Sequence, residues 1–255
     1  MANSPNPPWK TAWVVGASTG IGCDLAIKLA KLGVEVAVSS RSAEKLQELS
    51  KEYENIEAFE LDVTDAGSVA NTHQRIIEDF GSIDLAVLNA GVWHPTTVAE
   101  FDVERCRQSM DVNHGGITNA LQALLPGMLS RNAGHIALVA SVAGYRGLPK
   151  ALAYAPSKAA VISLAEVLKL ELETTDIDVS LINPGFVKTP MTSVNEFPMP
   201  YIISSDDAAE RILKGLQRRK FEIAFPWQLV WSLKLLRILP YLLYFPLARR
   251  LTHGS

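Results

Sequence analysis

A tyrosine and a lysine stand four residues apart in Tyr154-Ala155-Pro156-Ser157-Lys158. On a helix that spacing puts a phenol and an ammonium on one face, about 6 Å apart along the axis. Pro156 suits a first turn, where no intrahelical donor is needed. A free phenol, with a pKa of about 10, is roughly 0.1% ionised at neutral pH. A cation fixed beside it favours the phenolate, by about one to three units. A shift of that size would bring Tyr154 near the optimum for acid/base work at pH 7. The pair alone is a weak signal, because two surface residues on one helical turn share its spacing.

A second group lies near the start of the chain. The apolar run Thr11–Val15 opens into Gly16-Ala17-Ser18-Thr19-Gly20-Ile21-Gly22. Glycines let a backbone turn tightly and approach a pyrophosphate, and a helix N-terminus offers free N–H groups and a positive dipole end. The next strand ends in Val38-Ser39-Ser40-Arg41-Ser42. An acid there would accept from the free 2′-hydroxyl of NAD; a 2′-phosphate is drawn instead to arginine. With no acid and one arginine, the expected cofactor is NADP(H), with NAD(H) as the alternative. The simpler reading of Arg41 is a solvated charge at a helix start.

These groups must be held by regular elements. A helical pattern after the glycines stops at Gly33, and Val34–Val38 reads as a strand. Helices are expected over Ala43–Tyr53 and Asp65–Phe80, and strands over Ile56–Leu61 and Leu85–Leu88. Two helical stretches over Val103–Arg131 precede the strand His135–Ala140, and a helix over Ala153–Glu173 precedes the strand Asp178–Ile182. Phe221–Phe225 reads as a last strand. Parallel strands need crossovers of this length, so the expected fold is α/β, a single-domain, Rossmann-type, doubly wound parallel sheet of about seven strands with helices on both faces.

With Asn89-Ala90-Gly91, Asn113, Ser141 and Pro184-Gly185 added, the motifs occur in an order and spacing that resemble the short-chain dehydrogenase/reductase family, in its compact branch. The match runs from Thr11 to about Thr189. Val15 and Leu88 depart from it, each replacing a polar side chain with an apolar one. The resemblance implies a catalytic set of Asn113, Ser141, Tyr154 and Lys158. Tyr154 would exchange a proton with the substrate oxygen, and Ser141 would orient that oxygen. Lys158 would depress the tyrosine pKa and bind the nicotinamide ribose. Asn113 would interrupt a helix so that its carbonyl holds a water. The cofactor would lie against Gly16, Ser18, Thr19, Gly20, Ile21 and Gly22, with Arg41 at its 2′ position and Asp62 and Val63 at the adenine. Asn89, Ala90 and Gly91 would pass beside its ribose, while Pro184, Gly185, Val187 and Thr189 flank the nicotinamide. Asp62 has a second reading, as a cap of the following helix. His94 and His114 are set aside because the catalytic set is complete without them. A homodimer or homotetramer through the helices around Val103–Arg131 and Ala153–Glu173 is also implied.

The bulk properties agree with an enzyme acting on a small-molecule carbonyl or alcohol. Of 255 residues, 48% are hydrophobic and the net charge is −3, with no long block of like charge to attract nucleic acid. Cys23 and Cys106 form neither a disulfide framework nor a metal-ligand spacing, so no metal is expected. The N-terminus lacks a signal-peptide pattern, and a cytoplasmic location is expected. Residues 192–220 are expected to form a substrate lid, with the apolar loop Thr192–Ser205 at its core. Trp93, Val142, Ala143 and Tyr145 are expected as apolar walls for a lipophilic substrate. The apolar segment 223–250 carries Trp227, Trp231, Tyr241, Tyr244, three prolines and internal cations. Those argue against a spanning helix and leave peripheral membrane contact or packing over the pocket or a partner subunit. A non-catalytic dinucleotide sensor is disfavoured by the complete catalytic set. An epimerase is disfavoured by the glycine spacing, and the rival within the reductase reading is an NAD-dependent alcohol or hydroxysteroid dehydrogenase.

Overall fold

A computed structural model describes residues 7–253. Its centre is a seven-stranded parallel sheet in the order β3-β2-β1-β4-β5-β6-β9. The strands are β1 (Thr11–Val15), β2 (Glu35–Ser40), β3 (Ile56–Glu60), β4 (Leu85–Leu88), β5 (Gly134–Val139), β6 (Ile177–Pro184) and β9 (Glu222–Phe225). Val14 pairs with Val38 on one side and Val87 on the other, and β1, β4 and most of β5 and β6 are buried throughout. Burial on both faces accounts for their continuous apolar character.

Helices α1 (Gly20–Lys31), α2 (Ala43–Glu52) and α7 (Ser205–Gln217) pack their apolar faces into one core; Leu25, Leu29, Leu46 and Ile212 are fully buried there. The opposite core is closed by α3 (Ala66–Phe80), α5 (Gly116–Ser130) and α6 (Tyr154–Glu171), through Ile76, Leu124 and Val161 among others. The helix starts are read well from sequence: Asp65 caps α3, accepting from the Gly67 and Ser68 amides, and Asp102 caps α4 (Val103–Met110). Asp62, the alternative cap, does not serve α3.

Three features depart from expectation. The two helical stretches near Val103–Arg131 are joined by a π turn, Asp111–Gly115, rather than a break. Val187–Lys188 (β7) and Ile203–Ser204 (β8) pair as a small second sheet, too short to show a period-2 pattern in sequence. Residues 205–217, assigned with the preceding loop to a lid, are the helix α7, held on α1 by Lys28–Asp206 and by burial of Ala208, Ala209 and Ile212. Beyond β9 the chain forms two helices, α8 (Trp227–Ile238) and α9 (Tyr241–His253). Among the described residues, no helix is long and apolar enough to cross a membrane.

Candidate active site

Strand order reverses between β1 and β4, and in open α/β sheets ligands bind outside the carboxyl ends of strands at such a point. A cleft opens there. Its lining takes in Gly16, Ser18, Thr19, Gly20 and Ile21 at one wall, Arg41, Asp62 and Val63 at one end, and Ser141, Tyr154 and Lys158 at the other. Asn89, Ala90, Gly91, Pro184, Gly185, Val187 and Thr189 line it as well. Two predicted residues lie behind the lining, Gly22 and Asn113.

The glycine loop is shaped for close approach. Gly16 has φ +82° and Gly20 φ +61°, a region that L side chains rarely adopt. A Cβ on Gly22 would sit 2.3 Å from the Gly16 carbonyl oxygen and 2.7 Å from the Asn89 amide nitrogen. That amide donates to the same carbonyl at 2.8 Å, so Asn89 ties β4 to the loop. Thr19 precedes α1 without a side-chain cap. The Thr19 side chain therefore takes none of the first amides of α1, whose start lines the cleft at Gly20 and Ile21, a setting that suits a pyrophosphate. Val15 and Leu88, the two departures from the family pattern, are buried in the sheet and do not line the cleft.

At the far end Arg41 is exposed, and its charge helps hold the Asp62 carboxyl below its usual range. The larger cause is hydrogen bonding, since the Thr64 amide and hydroxyl donate to Asp62 Oδ1 at 3.0 and 2.8 Å.

Tyr154 opens α6, and Lys158 follows one turn later, as the spacing predicts. Ser141 follows β5 and caps a short 3₁₀ turn by accepting from the Ala143 amide at 3.1 Å. Its hydroxyl donates to the Pro184 carbonyl at 3.3 Å and stands near enough to the Tyr154 phenol to draw its pKa down. Asn113, fully buried within the π turn, does not present its side chain to the cleft. It accepts from the Val92 amide at 2.7 Å and donates to the Val92 carbonyl at 3.1 Å and to Ser157 Oγ at 2.9 Å. Asn113 thus clips the Asn89–Val92 loop to the first turn of α6. Asn113→Ala should leave the Val92 amide and carbonyl without these partners and lower stability by about 3 kcal/mol, measured by urea unfolding with an unchanged m-value.

One expectation is corrected by the geometry. The Lys158 ammonium does not lower the Tyr154 pKa here. It donates to the Val139 carbonyl at 2.9 Å and stands 5.7 Å from the tyrosine ring centroid. Burial pushes the Tyr154 phenol up to about 12, against a smaller downward pull from Ser141, although part of the ring stays open to the cleft. Burial likewise pushes Lys158 down to about 8. Spacing along a helix fixes which face two groups share; it says nothing about the water removed when that face is covered.

The model of the short chain dehydrogenase family matches residues 10–197. The chain belongs to the short-chain dehydrogenase family. An oxidoreductase of Myxococcus xanthus is 40% identical over 247 residues, covering 95% of this chain and 98% of that one. Among solved structures, a short chain dehydrogenase/reductase from Burkholderia phymatum in complex with NAD superposes with TM-score 0.83 at 25% identity, over 89% of this chain and 92% of that one. An alcohol dehydrogenase from Thermococcus sibiricus complexed with 5-hydroxy-NADP gives TM-score 0.77 at 27% identity, over 85% and 96%.

This short-chain dehydrogenase is accordingly an oxidoreductase, and its sequence reading missed several residues of the cleft. Met191 and Thr192 line it, and Thr192 Oγ1 donates to the Val187 carbonyl at 2.6 Å, closing the turn that carries Thr189. Trp93, expected as a plain apolar wall, meets Tyr154 edge-on at 5.0 Å between centroids, and its indole N–H donates to Asn195 Oδ1 at 2.8 Å. Asn195 thereby joins the loop after β7 to the tryptophan that packs on the tyrosine. Tyr145, also expected as a wall, is buried and turned away from the cleft, donating to Glu222 Oε1 at 2.5 Å. No local pattern marks Asn195 or Tyr145, because both contacts join segments far apart in the chain.

Proposed function

We propose that this short-chain dehydrogenase is an NADP(H)-dependent reductase of lipophilic carbonyl compounds, running also in the alcohol-oxidising direction. The observation that carries the reading is the convergence, in one cleft, of Ser141, Tyr154, Lys158 and the glycine loop. When bound, the nicotinamide dinucleotide supplies or takes up the hydride. The chain's own groups do the rest. Ser141 orients the substrate oxygen by hydrogen bonding and stabilises charge developing on it. Tyr154 gives its phenolic proton to that oxygen during reduction. A phenol held near pKa 12 is protonated at neutral pH, which favours reduction over oxidation there. Lys158, reaching past Gly91 to the Val139 carbonyl, stands where it can bind a ribose hydroxyl and return a proton toward Tyr154. Met191 in the cleft lining and Trp93 beside Tyr154 would offer the substrate apolar surface. Leu129, Val167 and Leu170, exposed on α5 and α6, support self-association through those helices.

The cofactor preference rests on Arg41 at the end of β2. NADPH should bind the wild type more tightly than NADH in a fluorescence titration. Arg41→Ala should weaken NADPH by roughly 10- to 100-fold, the loss of one charge-assisted contact, and leave NADH unchanged. Equal effects on both would end the NADP(H) reading in favour of NAD(H), which the nearness of Asp62 to Arg41 makes the second choice.

A further inference from the structure

Helix α8 is apolar on two faces. Val230 and Leu233 turn inward and are buried, while Trp227, Trp231, Leu235 and Ile238 form an outward stripe, with Trp231 69% and Ile238 76% exposed. A helix on the surface of a soluble domain normally opposes one apolar face with a polar one. The stripe continues onto α9 through Tyr241, Leu242, Leu243 and Phe245, with Leu242 85% exposed.

This surface is held rigidly to the body. Arg146 donates to the Arg237 carbonyl at 2.9 Å and to the Leu239 carbonyl at 3.1 Å, and its guanidinium lies over the Tyr241 and Tyr244 rings at 4.6 and 4.3 Å. The Tyr244 hydroxyl donates to the Gly147 carbonyl. Leu229 and Pro226 pack so closely on Gly185 that a Cβ there would meet them at 2.8 and 3.0 Å. The apolar stripe is therefore fixed beside the Pro184-Gly185 corner of the cleft.

We propose that α8 and α9 dock, lying in the plane of the surface, on a bilayer with anionic headgroups. Charge selects this occupant. After Glu222 the chain holds no Asp or Glu, yet carries Lys234, Arg237, Arg249 and Arg250, in a protein whose net charge is −3. Glu222 engages Lys234, and Glu166 lies 3.9 Å from Arg237; both carboxylates belong to other elements. Four cations against those two carboxylates leave an excess of positive charge on the segment, which a second copy placed two-fold would double and anionic headgroups would offset. Exposed Trp227, Trp231 and Tyr241 are the residue types that settle at the headgroup level. Helices of 12 and 13 residues are too short to span and long enough to lie flat.

The docking does not depend on the reductase reading, so vesicle binding and turnover can fail separately. The test is flotation of the full chain with phosphatidylcholine vesicles, with and without phosphatidylglycerol. Most of the protein should float with the phosphatidylglycerol vesicles, less as salt is raised, and little with phosphatidylcholine alone. Wild-type tryptophan emission should shift to the blue on adding the anionic vesicles, a readout that needs no variant. Trp231→Glu combined with Ile238→Glu should lower binding at least about tenfold at an unchanged melting temperature. Absence of both flotation and emission shift would overturn the proposal, as would undiminished binding by a folded double variant. A double variant that turns an oligomer into a monomer, in a protein that ignores vesicles, would assign the face to a second copy.

Discussion

Tyr154→Phe is expected to lower kcat/KM for carbonyl reduction by about 1000-fold, within the range of a general acid removed from its transition state. The ring contacts survive the change. The edge-on approach of Trp93 needs only the aromatic face, so melting temperature and NADPH affinity should stay near wild type. What is lost is one hydroxyl, the group that Ser141 stands beside. NADPH consumption with a panel of ketones and aldehydes measures the effect. A loss in kcat at unchanged KM would mark an interaction made only in the transition state.

Lys158→Met is expected to move activity and stability in opposite directions. The ammonium is buried and donates to the Val139 carbonyl, and burial brings its pKa from 10.5 to about 8. A lowered lysine pKa means that the folded state binds its proton less well than the unfolded chain. Below pH 8 both states are protonated and the full cost of burying the charge is borne, about 3 kcal/mol for a shift of this size. Between pH 8 and 10.5 the folded state releases the proton first, so stability rises with pH and the cost fades. Losing the hydrogen bond to Val139 offsets about 1 kcal/mol. The Met variant should therefore be more stable than wild type by about 2 kcal/mol at pH 7, with the advantage vanishing toward pH 10.5. Its kcat/KM should nonetheless fall by about 100-fold or more, because no cation remains to hold the ribose or to supply protons to Tyr154. Urea unfolding across the pH range, beside steady-state rates, tests both halves. A Met variant that is less stable at pH 7 would contradict the burial argument without touching the catalytic one.

Much of this molecule is readable in its residues because the relevant physics is local. The alternation of apolar strands with long helices requires a parallel sheet. The Gly16–Gly22 turn requires backbone that other residues would block, as the contacts around Gly16 and Gly22 show. The four-residue spacing of Tyr154 and Lys158 does place them on one face of α6. What was not readable depends on long-range packing. The fall of Lys158 to about 8 and the rise of Tyr154 to about 12 come from the burial of α6 against β5 and the loop above it. The part of Asn113 in clipping Val92 to Ser157 needs three segments brought together, as does the inward turn of Tyr145 onto Glu222. The helix α7 was absorbed into the lid reading because its core-facing residues, Ala208, Ala209 and Ile212, follow directly on a loop rich in apolar side chains.

If Tyr154 trades a proton with the substrate oxygen, the pH dependence of the two reaction directions shows it most directly. With wild type, kcat/KM for carbonyl reduction should be flat from pH 6 to 9, since a phenol held near 12 stays protonated throughout. Oxidation of the product alcohol should rise with a slope of about one on a log scale over the same range, as the phenolate fraction grows. Tyr154→Phe should lose that slope along with most of the rate. If the variant kept both the oxidation slope and the rate, the proton would be moving through another group and the assignment of Tyr154 would be wrong.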